Sequence, residues 1–248
     1  MIDAALKIEF NNLGVVLLNK GNRQDALHLF KGASQLMAHI VSRGNETNNA
    51  TIGKKLCDSR IRYAHVIYEK HRDVDDFGVK SDRFSMNFSD DLDDSSSGRS
   101  KAFICKRAIL LTKEHLPSKF TQWVKVCSSV VLYNIALVYH LAALDSVLES
   151  SGPTALKVYE MTLSLLSGEN LESGSTLIGR VKMYCLNNMA SLNHELVQWK
   201  LSAQYMKRLT IIATTMQARG VGRSLHEECQ SFLLNAMVLK TPNRAPVA

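Results

Sequence analysis

Along most of the chain apolar residues recur at intervals of three and four, the period of a helix that buries one face. Gly21-Asn22 breaks the first such run and predicts a pair of helices over 4–20 and 23–42. Ser118, after Pro117, is placed to cap a helix over 119–149. Gly152-Pro153 then puts a proline in a first helical turn, and Gly168 closes that helix. A further pair is predicted over 175–194 and 198–218, ended by Gly220-Val221-Gly222. Ser224, with Glu227 three residues on, has the form of a capping box for a last helix to residue 239. Its Leu225, Phe232, Leu233, Ala236 and Met237 are set to cover the open end of a stack. Two stretches read both ways. Ile52, Leu56, Tyr63 and Val66 keep helical spacing while Ile61, Tyr63, His65 and Ile67 alternate, and the helical reading of 52–71 is preferred. Phe103, Cys105, Ile109 and Leu111 alternate with Lys106 and Ala108, which predicts an extended segment and a minor β element over 103–111, paired near Arg83 to Phe88.

Three segments share a run of asparagine, apolar residue and small residue: Asn12-Leu13-Gly14, Asn134-Ile135-Ala136 and Asn188-Met189-Ala190. Each lies inside a helical apolar stripe. After the first, Ala26, Phe30 and Ala33 repeat at i, i+4 and i+7 of a second helix, the layout of a hairpin whose members approach closely.

Phe10, Leu13, Gly14, Leu17, Ala26, Phe30 and Ala33 together resemble the tetratricopeptide repeat. A second copy is similar through Leu132, Ile135, Ala136 and Tyr139 and, after seven extra residues, Ala155, Tyr159 and Thr162. A third is similar through Leu186, Met189, Ala190, Ser202, Met206 and Leu209. Gly14 and Ala136 stand 122 residues apart and Ala136 and Ala190 54, against about 34 in the family, so the resemblance implies an irregular array. The expected fold is all-α: an antiparallel array of helix hairpins, an α-solenoid, in one domain over 1–248. The resemblance gives packing roles to Leu13, Gly14, Ala26, Phe30, Ala33, Ala136, Tyr139, Ala155, Tyr159 and Ala190.

Composition adds the context. The chain has 248 residues, 46% apolar and 21% charged, enough for one large core or two small ones. Its net charge of +7 is unevenly spread. Residues 1–72 carry 11 Lys and Arg against 6 Asp and Glu, 73–98 carry 2 against 8, and 99–248 carry 17 against 9. The acidic stretch, with Asp90-Asp91 and Asp93-Asp94 before Ser95-Ser96-Ser97, reads as a disordered insertion, either a solvated spacer or a loop regulated at its serines. The tail over 241–248 reads as flexible. No secretion signal is visible, and Val130 to Leu144 is interrupted by Tyr133, Asn134, Tyr139 and His140, so no membrane span is predicted. Five scattered cysteines without a CxxC motif point to a reducing compartment, cytoplasm or nucleus. The sequons at Asn45, Asn49 and Asn87 then read as chance matches.

Candidate chemistry is sparse. His226 and Cys229 make at most half a metal site, and His194-Glu195 belongs to no HExxH, so no metal is expected. GxGxxG, GxxxxGK[ST] and GxSxG are all missing, and neither a catalytic residue nor a cofactor is expected. The resemblance instead implies a concave groove for a peptide or protein segment, lined by helix positions beside the small residue. Carried onto this chain, those are Asn11, Val15, Leu18 and Asn19, then Tyr133, Leu137, His140 and Leu141, then Asn187, Ser191, His194 and Glu195. Asn11 and Asn187 would hydrogen-bond a ligand backbone and Tyr133 would pack an apolar anchor, unless the insertion or a neighbouring helix covers the groove. Chaperone-tail recognition is set aside, because Asn11 and Val15 stand where such domains place lysine and asparagine, and without the cation a carboxylate loses its charge-assisted partner. The function expected is non-enzymatic protein binding, as an adaptor of unspecified oligomeric state. The alternative is nucleic-acid binding through Lys101, Lys106, Arg107, Lys113, Lys119 and Lys125 in the basic 101–125 segment.

Overall fold

The computed structural model describes residues 2–43, 51–71, 105–112, 120–145, 150–169, 176–220 and 222–240. The acidic insertion, the 241–248 tail, the three sequons, Ser118 and Arg83 to Phe88 lie outside them. Among the described residues the fold is all-α, with eight helices: α1 (Ile2–Asn19), α2 (Arg23–Arg43), α3 (Thr51–His71), α4 (Phe120–Leu144), α5 (Ser151–Leu165), α6 (Thr176–Glu195), α7 (Trp199–Ala218) and α8 (Arg223–Lys240). Sequence neighbours pack as pairs, an arrangement compatible with a helical repeat. The chain divides into two compact units, one of residues 1–79 and 107–167, the other of 80–106 and 168–248.

In the first unit α1 packs on α2, α2 on α3 and α4, and α4 on α5. Gly21, at φ +82°, ends α1 in a left-handed residue that few side chains tolerate. Asn22 N–H reaches back to the Leu17 carbonyl at 2.9 Å and Gly21 N–H to that of Leu18 at 3.0 Å, which satisfies two carbonyls of the last turn. Asn22 then turns to α2. Its Oδ1 accepts the Asp25 N–H at 3.3 Å and its Nδ2 donates to the Asp25 carboxylate at 2.9 Å, a reciprocal cap. Where α1 and α2 cross, Gly14 leaves room for Phe30: a Cβ there would stand 2.6 Å from Phe30 Cε1. Gly32 faces Ala64 of α3 in the same way. The stretch 51–71 is helical, and among its described side chains Ala64 and Ile67 are buried, whereas Tyr63 and Val66 are exposed. Phe10, Leu13, Phe30, Ala33, Val130, Leu137 and Tyr159 fill the core of this unit.

In the second unit α6 packs on α7 and α7 on α8. Here Gly179 is the small residue at the crossing, with Met216 against it. Leu225, Phe232 and Ala236 of α8 are buried as expected, but Met237 is exposed. Glu228 is buried and receives Arg180 Nε and Tyr184 Oη, each at 3.1 Å. The expected capping box shifts: α8 begins at Arg223, so Ser224 lies inside the first turn. The α6–α7 turn repeats the geometry of Gly21 without its glycine. Val197 adopts φ +60° while Gln198 N–H bonds to the Asn193 carbonyl at 2.8 Å.

The expected β element does not form among the described residues. Residues 105–112 join no helix or strand, and the N–H and C=O of Cys105, Ile109 and Leu111 are paired to side-chain amides instead.

Candidate peptide-binding site

An extended chain points the N–H and C=O of one residue to the same edge, and those of the next residue to the other. Such an edge normally needs a neighbouring strand. An asparagine side chain carries the same donor and acceptor pair as a peptide unit, so a helix bearing one at the right place can stand in for the missing strand.

In the first unit α1 and α4 do this for residues 107–111. Asn134 Oδ1 accepts the Ile109 N–H at 2.8 Å, and its Nδ2 donates to the Ile109 carbonyl at 2.9 Å. Asn12 Oδ1 accepts the Leu111 N–H at 2.8 Å, and its Nδ2 donates to the Leu111 carbonyl at 2.9 Å. Ile109 and Leu111 are two apart, so both clamps grip one edge of the extended segment. Asn11 ties the clamps together: its Nδ2 donates to the Ile109 carbonyl at 3.0 Å and to Asn12 Oδ1 at 3.1 Å, and its Oδ1 accepts from Asn134 Nδ2 at 2.9 Å. Tyr133 Oη extends the grip by donating to the Arg107 carbonyl at 2.8 Å. Asn11 and Asn134 are fully buried, where an amide without partners would cost about 1–3 kcal/mol. The side chains of Ile109 and Leu111 are buried as well, while Lys106 is exposed and Ala108 and Leu110 are half-buried.

The second unit uses the same device among its described residues. Asn188 Oδ1 accepts the Cys105 N–H at 2.9 Å and Asn188 Nδ2 donates to the Cys105 carbonyl at 3.0 Å. Asn187 supports it as Asn11 supports Asn12, donating to Asn188 Oδ1 at 3.3 Å and accepting from Asn235 Nδ2 at 3.1 Å.

The clamping residues are therefore Asn12, Asn134 and Asn188, the asparagines that mark the three similar segments. They stand one position after the expected liners Asn11, Tyr133 and Asn187. The signal that identifies them is the repeat itself: an amide recurring within three apolar stripes needs a partner wherever it is buried. Of the other expected liners, Val15, Leu137 and His140 are buried in the first unit and Ser191 in the second, while Asn19 is exposed at the end of α1. His194 is half-buried, edge-on to Trp199 with ring centroids 4.3 Å apart. Leu13, Ala26, Phe30, Ala33, Ala136, Ala155, Tyr159 and Ala190 are buried, and Tyr139 is half-buried below Lys31.

Electrostatics here favour neutral groups. Burial lowers the His140 imidazole to about 4, and its Nδ1 lies 3.4 Å from Tyr159 Oη. Burial pushes the Cys127 thiol up to about 12 and the Cys229 thiol up to about 11, so both are protonated near neutrality. His226 is exposed, whereas Cys229 is buried with its Sγ 3.8 Å from Met183 Sδ. Among the described residues no three His, Cys, Asp or Glu side chains converge on a point where a metal would sit. Helix α4 is long and apolar enough to cross a membrane, but 67% of its most apolar 18-residue window is buried inside the protein. Of the basic 101–125 segment, Lys106 and Lys125 are exposed and Arg107 is half-buried, while Lys101, Lys113 and Lys119 lie outside the described residues.

No protein-family model, no curated protein and no solved structure matches this chain.

Proposed function

We propose that the chain is a non-enzymatic protein-binding module of tetratricopeptide-like hairpins, and that the asparagine clamps of α1 and α4 are its site for an extended polypeptide. The observation that carries this reading is the pairing of Asn12 and Asn134 with both backbone groups of alternate residues. That is how an edge strand receives a peptide, with main-chain bonds supplying affinity and pockets for alternate side chains supplying selectivity. Catalysis by the buried thiols fits poorly, because burial holds Cys127 and Cys229 in the unreactive protonated form.

The test is selection from a displayed library of unstructured peptides against the full chain. The expected result is enrichment of sequences with large apolar residues two apart, with binding lost in Asn12→Ala and Asn134→Ala variants that still unfold cooperatively. Enrichment of unrelated sequences that bind both variants undiminished would contradict it.

A further inference from the structure

The clamps are occupied by the chain's own residues 107–111, and the manner of that occupancy bears on what the site does. The hydrogen bonds of Asn12, Asn134 and Asn11 to Ile109 and Leu111 all go to backbone atoms. Tyr133 Oη likewise donates to a backbone atom, the Arg107 carbonyl. Backbone recognition does not depend on whose backbone is present. What this occupant adds is a side-chain pattern: Ile109 and Leu111 are 5% and 1% exposed, with half-buried Leu110 between them.

Asn11 and Asn134 are 0% exposed with the segment in place, and its release trades their bonds to the Ile109 backbone for bonds to water while the bond between the two amides remains. A second extended backbone restores those partners once the resident segment has left. An occupant joined to the same chain competes at an effective concentration of order millimolar, so it lowers the apparent affinity for any free peptide.

We propose that residues 107–112 are an intramolecular competitor for the α1 and α4 clamps, displaced by an extended segment of another protein with large apolar side chains two residues apart in place of Ile109 and Leu111. This rests on the peptide-binding reading and adds to it the ligand pattern and the means of control: the site opens to partners as the chain's own segment gives way.

The experiment uses a fluorescein-labelled peptide with the sequence of residues 106–112, titrated by anisotropy with the full wild-type chain and with an Ile109→Ser, Leu111→Ser double variant. The variant keeps every clamping side chain and removes the two buried apolar side chains of the resident segment. The expected result is binding to the variant at least ~10-fold tighter than to wild type, with no binding by a peptide whose own Ile and second Leu are serine. Equal affinity for the two proteins, or no binding to a variant that unfolds cooperatively, overturns the proposal. Should the variant not fold, wild-type association kinetics decide. A rate that plateaus as peptide rises shows release of the resident segment as the limiting step, while a linear rate, or no binding up to about 1 mM peptide, overturns it. The two readings fail differently. Library-selected peptides that need Asn134 yet bind both proteins equally remove the competition alone, whereas a folded variant that binds no peptide at all removes the peptide-binding reading with it.

Discussion

Asn134 of α4 holds Ile109 by both of its backbone groups, accepting the N–H at 2.8 Å and donating to the carbonyl at 2.9 Å. The pair stands in for one rung of a β-ladder, with a helix side chain in the place of the second strand. Because the site is fully buried, Asn134→Ala leaves the Ile109 N–H without its acceptor and is expected to cost about 2–4 kcal/mol. Asn134→Asp retains the acceptor but loses the donor to the carbonyl, and should be at least as damaging. Asn12→Ala, at a half-buried clamp, should cost about 1–2 kcal/mol, and urea denaturation orders the three variants.

Gly14 is required by Phe30. A methyl group at position 14 would stand 2.6 Å from Phe30 Cε1, closer than packed carbons allow, so Gly14→Ala is expected to destabilise by about 1–3 kcal/mol. Adding Phe30→Leu should recover part of that loss. A double-mutant cycle in urea measures the coupling, and strict additivity would mean that the two residues do not meet.

Val197 has the opposite relation to its backbone. It is a β-branched residue at φ +60°, in the turn where α1–α2 uses Gly21, and its side chain is 65% exposed. Val197→Gly relieves the left-handed conformation while giving up little packing, and should stabilise by roughly 1 kcal/mol, read as a rise in Tm. A fall in Tm would show that Val197 packs in a way its exposure does not suggest.

The helical architecture was legible because its punctuation is local. Gly21, Gly168 and Gly220 end helices where the pattern breaks, and the spacing of Phe10, Leu13, Ala26 and Phe30 marks one buried face of a hairpin. The asparagines were visible as a repeated feature, but their role was not, since Asn11 and Asn12 meet their partners 98 and 99 residues along the chain. The alternation over 103–111 predicts a β element, and the described part of it, residues 105–111, joins no strand. It does not say what pairs with that backbone, and side-chain amides leave no strand-like pattern elsewhere to find. Val197 leaves no signal at all, because nothing in its residue type favours a left-handed turn.

His140 sets a pH dependence whose sign follows from its burial. Folding lowers its pKa from an ordinary 6.5 to about 4, so the unfolded chain takes up the proton first as pH falls. Stability is therefore lost from about pH 6.5 downward and levels off near pH 4, with roughly 2 kcal/mol gone by pH 5. Burial also lowers His28 and His194, which adds the same sign at other positions. His140→Phe isolates its share: denaturation between pH 7.5 and 4.5 should give a flatter profile than wild type, and parallel profiles would assign the dependence elsewhere.

The central claim is that side-chain amides hold residues 107–111 in place of a β-strand, and amide hydrogen exchange at Ile109 and Leu111 tests it most directly. In the wild-type chain both amides should exchange at least ~100-fold slower than in an unstructured peptide, although neither belongs to a helix or a ladder. In Asn134→Ala, Ile109 should lose more protection than the global stability does, while Leu111, still clamped by Asn12, follows the global loss. Exchange of Ile109 at the unstructured rate in wild type, or protection that ignores Asn134→Ala, would contradict the account.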